Sequence, residues 1–269
     1  MATELFLWDH PVSSYAQKIR IALREKGIPF KFETPKGGGS GNLATIDPKF
    51  SEGNHRIQVP TLVDGDLKIF DSTIILEYIE DKYSDVPLRP AEPAGRARAR
   101  MIEDVCDSQY EAVNWGMGEI QTFQRAEGEK ASKMTEQARH QVRQLHAWLT
   151  EQLGDAEWFG GDRFGWADVC VWPMVNRSTS YHVEPEPGTP LRRWYEKAKE
   201  RPSVKSVYDE FTAASGGFSA ATDALKKGLM RREYRDHRLE WMIKSGGIDI
   251  VMAGLAKNNI RFSWPYSLE

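Results

Sequence analysis

A short polar stretch near the start of the chain has the chemistry to stabilise a negative charge. Residues 11–20 read PVSSYAQKIR and follow an apolar run that predicts a buried strand. Ser13 or Ser14 is expected to cap a helix there, so a hydroxyl and free backbone N–H groups meet at the positive helix end. This combination suits an anion such as a thiolate. The alternative interpretation is that the serine only caps the helix.

Two further segments have the chemistry of a peptide-binding site. Residues 58–62 read QVPTL, and a cis bond before Pro60 would leave the backbone of Val59 free to pair with an extended peptide. A trans proline at a sheet edge is the alternative. Asp71 and Ser72 begin another predicted helix, where the hydroxyl and N–H groups suit a carboxylate and Asp71 suits an amine. Ordinary capping is again the alternative.

Alternating strand and helix signals over residues 1–86 must position these segments. Asp64-Gly65 between two apolar runs is a strong hairpin signal. One helix is expected to end at Lys26 and a second to begin at Asp71-Ser72. The apolar runs predict strands at residues 4–8, 28–32, 60–63 and 67–70. The order βαβ, loop, ββα is typical of a small α/β sandwich with a mixed sheet.

The rest of the chain predicts helices. Prolines mark a linker over 87–95, and an all-helical domain follows over 96–212. Its helical patterns lie at residues 96–123, 134–153, 166–177, 190–200 and 204–211. Asp168 is expected to bond back to the start of the third of these helices, where Gly165 leaves the capping box half made. Residues 213–269 form an extension with nine Lys and Arg against six Asp and Glu, whose apolar content predicts packing on the body.

Composition excludes several other classes of protein. The chain has 269 residues, a net charge of −3, two Cys and nine Trp. We therefore expect no nucleic-acid partner, no membrane span, no disulfide framework and no metal site. The first residues lack the basic and apolar regions of a signal peptide, which favours a cytoplasmic protein. A glycine-rich run at 36–42 lacks GK[ST] and predicts a mobile loop rather than a phosphate loop.

The order of these motifs resembles that of the glutathione transferase superfamily. SSYAQKIRIAL, QVPTLVDG, DSTIILEYIEDKY, a proline-rich linker and RFGWADVCVWP follow one another over residues 3–212. The resemblance implies an α/β thioredoxin-like N-terminal domain over 1–86, an all-α helical C-terminal domain and a homodimer. It also implies glutathione as co-substrate or cofactor.

The first motif combines features of several classes within that superfamily. It resembles the zeta class, whose motif begins SSC and whose first Ser activates the thiol, while Tyr15-Ala16-Gln17 is similar to the omega class. The FGWAD stretch resembles bacterial lignin-degrading glutathione lyases. By this resemblance Ser13 is the catalytic residue, with Ser14 and Tyr15 as secondary candidates. The omega reaction needs a Cys at this place, so we expect no thiol-redox mechanism.

The resemblance also implies which residues bind glutathione. The proline of QVPT is expected to be cis, and the residue before it to pair with the cysteinyl backbone. The acidic-Ser pair is expected to hold the γ-glutamyl end. The candidate residues are Gln58, Val59, Pro60, Asp71 and Ser72.

The second substrate is expected to bind between the two domains. The candidate wall residues are Tyr110, Trp115, Met117, Phe123 and Trp172. The expected reaction is attack of the thiolate on a small organic electrophile, ending either in conjugation or in cis–trans isomerisation. The alternative function is a non-catalytic interaction module with the same fold. The residues do not identify the electrophile.

Overall fold

A computed structural model describes residues 4–36, 46–215, 222–223, 225–228, 232, 234, 236–257 and 259–260. Most of the glycine-rich run over 36–42, part of the extension and the aromatic end of the chain lie outside these residues. Along the described part of the chain, no helix combines the length and apolar character needed to cross a membrane.

The described residues between 4 and 82 form an α/β domain around a four-stranded mixed sheet. The strands are β1 (Leu5–Trp8), β2 (Phe30–Glu33), β3 (Thr61–Asp64) and β4 (Leu67–Phe70), in the spatial order β2-β1-β3-β4. β1 pairs parallel with β2 and antiparallel with β3, and β3 forms the predicted hairpin with β4. Each strand lies within three residues of its predicted bounds.

Three helices accompany the sheet, and the middle one was not predicted. They are α1 (Ser14–Glu25), α2 (Pro48–Gly53) and α3 (Ser72–Lys82). The sequence indicated a loop at α2. The helix has six residues and buries only Phe50, so no helical periodicity marks it. Asp47 caps this helix and Pro48 occupies its first turn, which are the signals that could have revealed it.

The all-helical domain begins with one long helical run that contains two wider turns. α4 (Pro93–Val105) continues through a π-helical turn (Cys106–Tyr110) into α5 (Glu111–Met117) and a second π-helical turn (Gly118–Thr122). This run matches the helix predicted over 96–123. The π-helical turns are local irregularities of a kind often found at functional sites.

The remaining helices pack around a buried central one. They are α6 (Gly128–Leu153), α7 (Trp166–Ser180), α8 (Pro190–Lys199) and α9 (Pro202–Ser215), with α10 (His237–Lys244) and α11 (Ile248–Ala256) in the extension. α7 covers the helix predicted over 166–177, and nearly every one of its residues is buried. α6 begins six residues earlier than predicted, and α11 was not predicted.

The two domains share one interface, at which α1 packs on α7 and α9. Arg20, buried in α1, pairs with Glu210 of α9 and with the buried Asp9 at 3.0 Å. Arg201 donates a bidentate hydrogen bond to Glu25 at 2.6 and 3.0 Å. The expected architecture, a thioredoxin-like domain followed by an all-helical domain, is confirmed.

Candidate functional site

The register of the sheet brings three predicted segments to one end of the first domain. Trp8 of β1 is opposite Thr61 of β3, and Thr61 is also opposite Phe70 of β4. The loop after β1, the residues before β3 and the residues after β4 therefore lie side by side. These are the segments that carry the hydroxyl motif, QVP and the Asp-Ser pair. Two helices, α1 and α3, begin at this same end.

Ser13 is the N-cap of α1. Its hydroxyl oxygen accepts a hydrogen bond from the Ala16 backbone N–H at 3.3 Å. A hydroxyl has one proton to donate, and no acceptor for this proton is present within the described parts of the chain. Ser13 thus caps the helix and keeps a donor for a ligand, so the two interpretations of this residue are compatible.

The loop before Ser13 is held from both domains. The Pro11 carbonyl accepts hydrogen bonds from Gln17 Nε2 at 2.9 Å and from Arg20 Nη2 at 3.1 Å. The Val12 carbonyl accepts from Arg177 Nη1 of α7, also at 2.9 Å. These bonds fix the path of the chain into α1, and hence the position of the Ser13 hydroxyl.

The same loop lies in a positive environment. Burial, followed by the charges of Arg177 and Arg20, lowers the pKa of the half-buried His10. Neutral His10 accepts a hydrogen bond from the Val12 N–H at 3.3 Å through Nδ1. Cations that disfavour a proton on His10 also favour a negative charge beside it. The loop and the N-terminus of α1 therefore both favour a negative charge near Ser13.

Asp71 and Ser72 lie at the start of α3 in different environments. Asp71 is the N-cap, accepting from the Thr73 N–H at 3.0 Å, and its side chain is 40% exposed. The Arg56 guanidinium lies 3.8 Å from the Asp71 carboxylate. Ser72 is buried, and its hydroxyl oxygen accepts from Lys18 Nζ at 3.1 Å. An acidic group, a hydroxyl and a cation thus meet at the helix start.

Lys18 is a fully buried ammonium that joins this helix start to the second domain. It lies in α1 and donates to Glu103 at 2.9 Å and to Asp107 at 2.6 Å, in addition to Ser72. Glu103 also accepts from Thr73 Oγ1 at 2.8 Å and from the Trp166 indole N–H at 2.7 Å. Ser72 is therefore oriented through a network that spans both domains.

The charges of this network depend on one another. Burial alone would lower the pKa of the Lys18 ammonium, but the negative groups around it, Asp107 foremost, hold that pKa well above its usual value. Burial would likewise raise the pKa of Glu103, which Lys18 lowers below its usual range. Burial raises the pKa of Asp107 to about 6 despite the Lys18 ammonium. Removing one member of this buried group is costly in stability, because a charge that stays buried then lacks its partner.

The segment before β3 has the expected backbone form. The Val59–Pro60 bond is cis, as the resemblance implied. The Gln58 carbonyl accepts from Asn54 Nδ2 at 2.6 Å and from Thr61 Oγ1 at 3.2 Å. Asn54 and Thr61 are buried, so they hold the segment from behind while Val59 stays partly exposed.

The secondary candidates Ser14 and Tyr15 differ from Ser13 in their surroundings. Ser14 is the first residue of α1 and is buried. The Tyr15 hydroxyl donates to the backbone carbonyl of Asp107 at 2.5 Å. The proton of Tyr15 is therefore committed to the second domain, and of the two serines Ser13 is the less buried.

The structure corrects part of the predicted second-substrate wall. Tyr110, Met117 and Trp172 have no exposed surface and lie in the apolar core. The Tyr110 hydroxyl lies 2.6 Å from His146 Nε2, inside the helical domain. Aromatic residues at helical spacing pack a core more often than they line a pocket, and sequence spacing does not separate the two.

The other two wall residues, Trp115 and Phe123, lie beneath the extension. The Arg232 guanidinium is 4.0 Å from the centre of the Phe123 ring and 4.8 Å from that of Trp115. It also pairs with the buried Glu119. The Tyr234 ring packs edge-on against Trp115 at 4.5 Å. Residues of the extension therefore cover the far end of the long helical run.

Both cysteines belong to the helical domain. Cys106 and Cys170 are both fully buried. Burial raises the pKa of each thiol well above its usual value, so neither is poised as a thiolate. We therefore still predict that no cysteine of this chain forms a mixed disulfide during turnover, which mass spectrometry would detect.

The sequence analysis missed Lys18, Arg56 and Arg177 as parts of the site. Lys18 lies on the α1 face that also presents Ile19, Ala22 and Leu23 to the core. A charged residue within an apolar stripe is a signal that could have indicated a buried partner. Arg56 and Arg177 carry no such signal, because their partners are remote in sequence.

The fold and this end of the sheet define a class of two-domain proteins, in which a thioredoxin-like domain precedes an all-helical one. The family model described as glutathione S-transferase, N-terminal domain, matches residues 7–87. The model described as glutathione S-transferase, C-terminal domain, matches residues 132–197. The chain belongs to the glutathione S-transferase superfamily.

The chain is also similar to individual proteins, one of which carries the family name. The probable glutathione S-transferase parA of Nicotiana tabacum is 31% identical over 189 residues, which cover 68% of this chain and 76% of the relative. The stringent starvation protein A homolog of Haemophilus ducreyi is 30% identical over 174 residues, or 63% of this chain and 72% of the relative.

A solved structure gives the same result. A glutathione S-transferase from Methylobacterium radiotolerans, in complex with glutathione sulfonate, is 27% identical with a TM-score of 0.64. The match covers 77% of this chain and 95% of the other. Membership in the superfamily supports a glutathione-dependent transferase activity in general.

Proposed function

We propose that this chain binds glutathione at the end of the sheet and that Ser13 lowers the pKa of its thiol for attack on a small organic electrophile. The observation that supports the proposal is the sheet register, which brings the end of β1, the start of β3 and the end of β4 to the edge from which the segments of Ser13, Val59–Pro60 and Asp71-Ser72 extend.

The residues at this end fit the groups of the tripeptide. Asp71, partly exposed, would bind the γ-glutamyl ammonium, and the Ser72 hydroxyl would donate to the γ-glutamyl carboxylate. Arg56 would add a cation beside that carboxylate, and the N-terminus of α3 favours the same charge. The backbone of Val59 would pair with the cysteinyl backbone as an added strand.

The Ser13 hydroxyl would then donate to the sulfur. A free thiol has a pKa of about 8.5, so little thiolate exists at neutral pH. A shift of two units corresponds to about 2.7 kcal/mol. One charge-assisted hydrogen bond, together with the N-terminus of α1, supplies stabilisation of that order. Arg177 contributes by holding the Val12 carbonyl in place.

Two reactions of the thiolate remain within the proposal. Attack followed by loss of a leaving group gives a conjugate, whereas reversible addition to a conjugated alkene, rotation and expulsion give cis–trans isomerisation. Product analysis separates them, because conjugation consumes glutathione and isomerisation returns it. Chlorodinitrobenzene and a cis-configured conjugated keto acid are suitable probes for the two.

Ser13→Ala tests the assignment directly. We expect the pKa of bound glutathione to rise and kcat/KM to fall by about one to two orders of magnitude, with the dissociation constant of glutathione little changed. Ultraviolet absorbance of the bound thiolate measures the pKa. Ser14→Ala and Tyr15→Phe are the matched controls. Loss of turnover in either control, with Ser13→Ala still active, would contradict the assignment.

A non-catalytic interaction module is the alternative function, and a thermal-shift assay separates it from the enzyme. A chain that binds glutathione is stabilised by millimolar glutathione. No shift, together with no turnover of either probe, would favour the module.

The proposal also includes a homodimer in the cytoplasm. Size-exclusion chromatography with light scattering measures the oligomeric state, and cell fractionation measures the location.

A further inference from the structure

Arg177 differs in its partners from Arg20 and Arg201, which also lie at the interface between the domains. Arg20 pairs with Glu210, and Arg201 pairs with Glu25. Arg177, a half-buried residue of α7, forms no ion pair with a carboxylate in the described parts of the chain. A partly buried charge without a counter-ion is costly, so it calls for a role beyond packing.

Neutral groups hold the guanidinium of Arg177 in place. Its Nη1 donates to the Val12 carbonyl at 2.9 Å, and its Nε donates to the Tyr181 hydroxyl at 3.0 Å. The centre of the Phe211 ring lies 6.0 Å from the guanidinium carbon. A carbonyl, a hydroxyl and an aromatic ring orient the cation, but they do not cancel its charge.

The second π-helical turn gives Tyr181 the space it needs to hold Arg177. This turn begins at Gly118. A Cβ added to Gly118 would lie only 3.0 Å from the Tyr181 hydroxyl oxygen and 3.9 Å from Nη2 of Arg177. A side chain at Gly118 would therefore crowd the hydroxyl that accepts from Arg177, and the glycine fits this close approach.

The charge of Arg177 reaches the loop that precedes Ser13. Burial lowers the pKa of His10 in this loop, and among the charges around it Arg177 has a larger effect than Arg20. Ser13 follows Val12, whose carbonyl accepts from Arg177. A cation that disfavours a proton on His10 also stabilises an anion held by the Ser13 hydroxyl.

We propose that Arg177, held by Tyr181, is a positioning residue for Ser13 and that its unneutralised charge stabilises the glutathione thiolate. The inference rests on the proposed binding of glutathione at this end of the sheet. The first domain then supplies the hydroxyl and the helix end, and the helical domain supplies the charge. The reactivity of the thiol therefore depends on both domains.

The pH dependence of turnover separates a charge effect from a structural one. In Arg177→Gln, the pKa of bound glutathione should rise by about 1. With chlorodinitrobenzene as probe, kcat/KM should fall by up to about tenfold below the wild-type pKa and recover above both pKa values. Arg177→Lys keeps the charge and should restore most of the difference. An equal loss at every pH, or equal pKa values in the Gln and Lys variants, would overturn the proposal.

Proton NMR of His10 tests the charge in the protein without glutathione. Arg177→Gln should raise the pKa of His10, because it removes a neighbouring cation. Arg193→Gln is the matched control, since Arg193 is an exposed arginine of the same domain that also donates to a backbone carbonyl. This control should leave both the His10 pKa and the thiol pKa unchanged. An unchanged His10 pKa in Arg177→Gln would overturn the proposal.

The outcomes for this inference and for the proposed function are distinct. A wild-type chain that does not bind glutathione would overturn the proposed function. A wild-type chain that lowers the thiol pKa equally well with Arg177→Gln would overturn only the role of Arg177. If Arg177→Gln does not fold, Tyr181→Phe replaces it, because it removes the acceptor at Nε. This variant should raise the thiol pKa by a smaller amount, and an unchanged pKa would overturn the proposal.

Discussion

Single residues of this chain decide how the ligand end of the sheet is charged and oriented. Ser72 is the clearest case, because its hydroxyl oxygen accepts from buried Lys18 and no acceptor for its proton is present among the described residues. Ser13 is arranged in the same way, with its oxygen bonded to the helix and its proton available. Each hydroxyl therefore combines a bond within the protein with the role in binding that we propose for it.

Ser72→Ala should weaken glutathione binding by about 1 kcal/mol, the net value of one hydrogen bond. Isothermal titration calorimetry measures the change. Thr73→Val removes the neighbouring hydroxyl, which bonds to Glu103 rather than facing the ligand. This control should lower the free energy of unfolding while glutathione affinity stays normal. Equal affinity losses in both variants would argue against a direct contact from Ser72.

His146 should make the helical domain sensitive to acid. Burial lowers its pKa to about 4 from an ordinary value of 6.5. Between these two pH values, His146 therefore binds a proton in the unfolded chain and stays neutral in the folded chain. This contribution to stability is complete above pH 6.5 and is lost as the pH falls towards 4, by about 3 kcal/mol in total.

His146→Gln should flatten the pH dependence of the free energy of unfolding over that interval. Urea denaturation at several pH values measures it. His140→Gln, an exposed position on the same helix, should leave the profile unchanged. A profile that is the same in all three proteins would refute the role of His146.

At the scale of elements, the start of α7 shows why its capping box has glycine where a serine or threonine is usual. Asp168 accepts from the Gly165 N–H at 2.9 Å, from the Phe159 N–H and from the Trp194 indole. A side chain at Gly165 would meet the Leu88 carbonyl oxygen, which lies 2.7 Å from the position of an added Cβ. The linker therefore occupies the space that a capping Ser would need.

Gly165→Ser should destabilise the protein even though it completes the capping-box sequence. A cap hydroxyl contributes about 1 kcal/mol, but overpacking against the linker costs about 1–3 kcal/mol. The Leu88 carbonyl cannot retreat freely, because it accepts from the Trp166 N–H at 2.8 Å. Urea midpoints measure the result. Gly116→Ser, where nothing lies within 4 Å of an added Cβ, is the control. A higher midpoint for Gly165→Ser would refute the clash.

The elements that the sequence predicts well are those whose signals are local. Asp64-Gly65 identifies the β3–β4 hairpin because turn chemistry involves adjacent residues. The short α2 has no apolar period, so it was read as a loop. Lys18 and Arg177 depend on partners far away in the chain. No local pattern records such contacts, and the full site therefore needed the structure.

For the whole molecule, the extension is predicted to control access for the electrophile. Asp107, at the ligand end, and Trp115, beneath Arg232, are eight residues apart on one helical run, or about 12 Å at helical rise. A chain ending at Ser215 should show an altered KM for the electrophile and an unchanged dissociation constant for glutathione.

Arg232→Ala is the finer variant, because it removes the group that pairs with Glu119 and packs on Phe123. Steady-state kinetics with two electrophiles of different size measure the effect. If both variants change only the midpoint of thermal unfolding, the extension serves as a stabilising wrap and not as part of the pocket.

The position of Lys18 limits how this protein can be taken apart or recombined. Its ammonium originates in the first domain, yet two of its three partners belong to the second. A first domain joined to a foreign helical half would bury this positive charge without its carboxylates, and a first domain expressed alone would expose the face on which the second domain now packs. The two halves are therefore not exchangeable modules. A chimera that folds must therefore contain Lys18, Glu103 and Asp107 together.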